Sequence, residues 1–230
     1  MPDDSQLLRD QAYRLVLEMI FRGEITADEP LSERKMADRL SMGRTPVREA
    51  LRALAKDGVV ETRLARGTFV RSLSHDDLRQ LYEVRQALEG TAAQLAAKAG
   101  PTRKMLALGV QMRHMRDCPD DYSGVDIDDI GADFHREVFE AANNPMLKQV
   151  FEPLRLRFQL AFGFPRHHDK NSMRRSLDEH LGVLDAIEQR DEAAARQAML
   201  SHLQNGLEVR ARLFKTLGGV TPVATKIDKN

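Results

Sequence analysis

The chain reads as a mainly α protein: a winged helix-turn-helix followed by an all-α antiparallel helical bundle. Three observations lead there. Between Leu31 and Val70 two short amphipathic stretches meet at Ser41-Met42-Gly43 and give way to a β-rich ribbon. Beyond Ser74 strand signals vanish. Long helical patterns follow, broken at Gly100-Pro101, Cys118-Pro119, Asn144-Pro145, Pro165 and Arg190-Asp191.

An amphipathic helix from Leu7 to Arg22 leads, with Leu8, Ala12, Leu15, Met19 and Ile20 as its inner face. Ser32 caps the next helix, to Leu40, and Glu33 in its first turn suits the helix dipole. Met36, Ala37 and Leu40 face inward. Gly43 is expected to give the turn a backbone angle that other residues resist. The second helix opens at Arg44-Thr45-Pro46, because proline lacks an N–H that the first turn leaves unpaired anyway. Val47, Ala50, Leu51 and Leu54 form its buried stripe. After Gly58, Val59–Thr62 and Thr68–Val70 read as wing strands, with 63–67 as their loop. Six helices are expected near 76–99, 102–117, 126–142, 145–163, 173–189 and 191–216. The domain boundaries are then 1–71, 72–218 and a polar tail, 219–230.

Across the second short helix from its buried stripe lie Arg44, Arg48 and Arg52, with Thr45 beside them. Guanidinium groups suit phosphates and the guanine edge, so this helix is a candidate for the major groove. The bland alternative is a solvated face paired with Glu49 and Asp57. Formal net charge over the 230 residues is zero, which excludes a uniformly basic nucleic-acid glue. Charge is local instead: from Leu31 to Arg71 ten basic residues face five acidic ones. Arg66-Gly67 at the wing tip can reach a phosphate or minor groove, though a turn alone also explains the glycine.

The lone cysteine, Cys118, excludes an intrachain disulfide. No apolar run approaches the roughly 20 residues of a membrane span. The start of the chain lacks the pattern of a signal peptide, and a cytoplasmic location is expected.

His135, His180 and His202 fall in the interiors of three different helices, each with apolar neighbours one turn away. Three inward imidazoles can converge on a divalent ion such as zinc, nickel or manganese. A single histidine on such a face is more often a hydrogen-bonded core residue than a ligand. His75, His114, His167 and His168 fit helix ends or loops. Arg85 borders an apolar stripe, either as an ion pair with Glu89 or as a clamp for an effector carboxylate.

Leu31-Ser-Glu, Arg44-Thr-Pro-Val-Arg-Glu-Ala-Leu51, Asp57-Gly58 and Gly67 resemble the DNA-binding domain of GntR-family bacterial transcription regulators. Tyr82-Glu-Val-Arg85, Leu88-Glu89, Phe134-His135-Arg136, Asn144-Pro145, Glu179-His180 and His202-Leu203 resemble the FadR-type branch with its FCD effector domain. The resemblance implies a homodimer on a palindromic DNA operator. Its DNA-contacting positions are Arg34, Arg44, Thr45, Arg48, Arg66 and Gly67. It further implies a small organic acid effector in the helical domain near Arg85, His135, His180 and His202. It implies a metal held by one aspartate and three histidines.

Two departures stand out. Gly43 replaces the usual serine before Arg-Thr-Pro, which removes a helix cap. Gly131 stands where the metal-binding aspartate is expected; Asp133 points away from that face, and Asp128 lies about 10 Å along the helix axis. The expected function is a ligand-responsive transcription repressor, not an enzyme. Its alternatives are a metal-responsive regulator and a metalloenzyme carrying a winged-helix module.

Overall fold

The computed structural model describes residues 4–162 and 170–216. The tail at 219–230, the break at Pro165 and His167 and His168 lie outside the described residues. The described residues fall into two compact units. The first takes those within Met1–Ser74, Pro153–Pro165 and Leu213–Asn230, the second those within His75–Glu152 and Arg166–Arg212.

In the first unit, helix α1 (Asp4–Phe21) packs chiefly on α3 (Arg44–Lys56), with α2 (Glu33–Leu40) beside them. The inner stripe of α1 is Ala12, Val16, Met19 and Ile20. This corrects the expected face: Val16 is fully buried, Leu15 only partly, and Leu8 is 46% exposed. Offsets of four, seven and eight from Ala12 fit a helical stripe that takes Val16 and leaves Leu15 at its edge. On α3 the expected stripe of Val47, Ala50, Leu51 and Leu54 is buried throughout.

Ser32 caps α2 by accepting the Lys35 N–H. The turn after it is built differently from the expectation. Ser41 takes the left-handed conformation, φ 53°, and its N–H bonds back to the α2 carbonyls. Gly43 has an ordinary φ of −63° and begins α3 without a side-chain cap. Helix α2 is capped at Ser41, two residues before the glycine, so the special backbone angle falls on the serine.

The wing is an antiparallel pair, β1 (Val60–Arg63) and β2 (Gly67–Val70), with Val60 opposite Val70 and Arg63 opposite Gly67. Its loop is only Leu64–Arg66, closed by the Arg66 N–H on the Arg63 carbonyl at 3.0 Å. The Leu31 N–H donates to the Thr68 carbonyl, which ties the start of α2 to the wing.

The second unit is helical. It is built from α4 (His75–Ala99), α5 (Arg103–Asp117), α6 (Gly124–Ala141), the part of α7 (Pro145–Phe162) up to Glu152, α8 (Lys170–Glu188) and the part of α9 (Glu192–Thr216) up to Arg212, with a short 3-10 turn at Pro119–Asp121. Thr102 caps α5, and Ser123 with Asp126 forms a capping box on α6. Helices α4 and α5 both pack against α6 and α8. Ala92, Ala93, Ala96 and Ala97 on α4 are wholly buried, and their small side chains permit close approach. Among the described residues no helix is long and apolar enough to cross a membrane.

Candidate nucleic-acid interface and histidine centre

In the first unit Arg34 on α2, Arg44, Thr45 and Arg48 on α3, and Arg66 and Gly67 on the wing are all exposed. Arg34, Arg44, Arg48, Arg52 and Arg66 form no ion pair among the described residues. Elsewhere in the unit, by contrast, Arg39 pairs with Glu24 and Arg63 with Glu61, each at 2.9 Å. The bland reading of the α3 arginines required partners such as Asp57. That carboxylate instead accepts from the Tyr13 hydroxyl at 2.7 Å. Burial first, then the Asp57 bond, raise the Tyr13 pKa, so its hydroxyl stays a donor. The arginine face is left as free positive charge, the form in which it can displace counterions from a phosphate backbone. On the wing, the guanidinium carbons of Arg63 and Arg66 lie 4.5 and 5.9 Å from the centre of the Phe69 ring.

In the second unit the three histidines converge. His135 comes from α6, His180 from α8 and His202 from α9. The Nε2 of His135 lies 3.2 Å from that of His202 and 3.3 Å from that of His180. Phe134 packs edge-on against His180 at 5.4 Å and helps set its ring. His180 is buried, and the side chains of His135 and His202 are 11% and 12% exposed. Burial, followed by the neighbouring imidazoles, pushes His180 and His202 well below the ordinary imidazole pKa.

Two carboxylates stand behind these rings. Glu89 on α4 places Oε2 2.5 Å from His135 Nδ1. Arg85, one turn earlier, donates from Nε to Glu89 Oε1 at 2.5 Å. Burial pushes the Glu89 carboxyl up, but Arg85 and His135 outweigh it and hold the group well below its usual range. Glu179 places Oε2 2.8 Å from His202 Nδ1, and its Oε1 accepts from Asn205 at 2.8 Å. Burial raises the Glu179 carboxyl.

Arg85 thus makes the Glu89 ion pair foreseen as one of its two readings. Glu179 and Asn205 were not singled out for a role. Their signal was spacing: Glu179 adjoins His180, and Asn205 lies three residues past His202, on the same helix face.

The donor set suits a metal ion. Three nitrogens on one ion at about 2.1 Å each lie about 3.0–3.4 Å apart. At 3.2 and 3.3 Å the Nε2 atoms can share protons in N–H···N hydrogen bonds or ligate one cation together. A carboxylate behind the imidazole is the usual support of a metal-binding histidine. No carboxylate joins the three Nε2 atoms among the described residues. Asp133 pairs with Arg136 and is half exposed. At Gly131 an added Cβ would lie 3.0 Å from His180 Cε1, so this position does face the centre.

The profile of the bacterial regulatory proteins of the gntR family matches residues 8–70, and that of the FCD domain matches residues 80–205. The chain belongs to the GntR family, with an FCD domain. It is a DNA-binding transcription regulator, built from a winged helix and a helical effector domain. The regulator is 27% identical over 200 residues to the transcriptional repressor RspR of Escherichia coli K12, covering 87% of each chain. It is 29% identical over 193 residues to a probable D-xylose utilization operon repressor of Paenarthrobacter nicotinovorans, covering 84% of each. Its fold is similar to that of E. coli McbR/YncC, with a TM-score of 0.75 at 19% identity, over 92% of this chain and 99% of that one.

Proposed function

We propose that this regulator is a repressor, released from its operator by a small organic acid bound at the histidine centre. The observation that carries this is the meeting of three Nε2 atoms at 3.2 and 3.3 Å inside the FCD half. Residues 1–71 are the DNA-binding domain, and 72–218 bind effector and hold two copies together as a homodimer.

On DNA, Arg44, Thr45 and Arg48 enter the major groove from the start of α3. Arg34 meets the backbone, and Arg66 and Gly67 approach from the wing. Two copies on one palindrome double the contact set and fix the spacing of the half-sites. The regulator acts in the cytoplasm, beside the DNA it binds.

In the helical domain His135, His180 and His202 would hold a divalent ion: zinc, nickel or manganese. Such an ion supplies a Lewis acid that a carboxylate oxygen can ligate. Glu89 and Glu179 fix the rings with Nε2 inward. Arg85 adds positive charge while its Nε stays on Glu89. Release of DNA requires the acid to favour one arrangement of the heads over the other. A coupling of about 1–3 kcal/mol corresponds to about 5–150-fold in operator affinity.

The test is operator binding by fluorescence anisotropy, on DNA recovered by selection from a random pool, with metal-loaded and metal-stripped protein. A panel of hydroxy, keto and dicarboxylic acids is added to each. Loss of DNA with one of the acids is the expected result. Affinity that follows metal alone would make the ion the signal instead. Turnover of an acid would assign enzymatic chemistry and overturn the regulatory reading of the centre.

A further inference from the structure

We infer that a metal ion and a small external anion bind this centre as a linked pair, each weakly without the other, because the chain offers the ion three imidazoles and no carboxylate. The inference rests on the metal reading above.

The carboxylates nearby are committed elsewhere. Glu89 and Glu179 lie against the Nδ1 atoms of His135 and His202, across the rings from Nε2. Arg85 anchors the first and Asn205 the second, so swinging either round to the Nε2 side would break two contacts. Asp133 is turned outward onto Arg136. Gly131 faces the centre, one turn before His135, with its added Cβ placed 3.0 Å from His180 Cε1 and 3.4 Å from Nε2. The position is right for an acidic ligand, and the side chain is missing.

Charge then decides the outcome. The two carboxylates are already faced by cations, Glu89 by Arg85 and Glu179 by Arg175, with Arg210 near His202. A divalent ion adds further positive charge inside a site where Arg85 and Glu89 are only 3% and 1% exposed. A low-dielectric interior penalises uncompensated charge, so an anionic ligand on the open side of the ion is favoured. His135 and His202 are 11% and 12% exposed and His180 only 4%, so access to the centre is narrow and suits a small anion. A monocarboxylate fits that description. By reciprocity the anion must tighten the metal by the factor the metal tightens the anion.

The experiment uses the full chain stripped of metal with EDTA and titrated with cobalt(II) in perchlorate, an anion that ligates poorly. Bound cobalt is read from its visible absorption and by elemental analysis, with and without acetate. Acetate is expected to tighten cobalt about 10-fold and to change the absorption band. Gly131→Asp is expected to bind cobalt tightly without acetate and to lose the acetate response. One cobalt per chain, with the same affinity and band in either buffer, overturns the linkage while leaving the metal reading intact. No cobalt in either buffer overturns the metal reading and the inference with it. Should Gly131→Asp fail to fold around His180, the wild-type titration decides alone.

Discussion

His135 on α6 and His202 on α9 stand 67 positions apart in the chain, yet their Nε2 atoms are 3.2 Å apart. Each ring is backed on its Nδ1 side by a carboxylate, Glu89 for one and Glu179 for the other. The two imidazoles are therefore aimed at a common point, with His180 as the third contributor. If that point holds an ion, replacing His180 or His202 by alanine should lower bound metal from near one per chain to near none. Elemental analysis of protein purified without chelator checks this, and undiminished metal in both variants would place it elsewhere.

Arg48 is exposed on α3 and carries no ion pair among the described residues. Arg48→Ala should weaken selected DNA by about 1–3 kcal/mol if the residue reads a base edge. If it meets a phosphate, the loss is uniform across sequences and the salt dependence becomes shallower. Anisotropy at several salt concentrations separates these outcomes, and unchanged affinity would remove α3 from the groove. Metal content should not change, since the residue lies in the other unit.

Arg85 and Glu89 form a buried ion pair. Glu89→Leu takes the carboxylate from the buried guanidinium, leaving it against the Tyr82 ring, and should cost about 3–5 kcal/mol. The double change Arg85→Met with Glu89→Leu removes both charges and should recover most of that loss. Urea denaturation of the three proteins measures it. Equal losses in the single and double variants would show that volume, rather than charge, governs the position.

Acid should destabilise the metal-stripped protein from near neutrality downward. His180 and His202 have pKa values well below the ordinary 6.5 in the fold. The unfolded chain therefore binds more protons below that value. The stabilisation is fully present above about pH 6.5 and is lost as pH falls through the window beneath it, at up to about 1.4 kcal/mol per pH unit for each histidine. Thermal melts in EDTA across this range check the sign. A melting temperature flat from neutrality to mild acid would contradict the burial of these rings.

Local features were readable from the chain because they obey short-range rules. The α3 stripe follows a 3.6-residue period, and its four buried positions agree with the structure. The Ser32 cap and the uncapped start at Gly43 follow from which side chains can accept a backbone N–H. Where two phases of one helix compete, the pattern is less decisive. Leu15 and Val16 are both apolar neighbours on α1, and packing against α3 chose Val16. The positive φ likewise fell on Ser41 instead of Gly43, since the point where α2 ends sets which residue must turn.

The amino-acid sequence by itself determined a winged helix with an arginine face, a helical second half, and three histidines in helix interiors. Each of these depends on side-chain type and spacing within one element. Only the tertiary structure decided that the histidines meet, that Glu89 and Glu179 back them, and that Gly131 faces them without a side chain to offer. Those relations join α4, α6, α8 and α9. Helical periodicity says which face a residue occupies but not which other helix lies opposite, and packing alone supplies that partner.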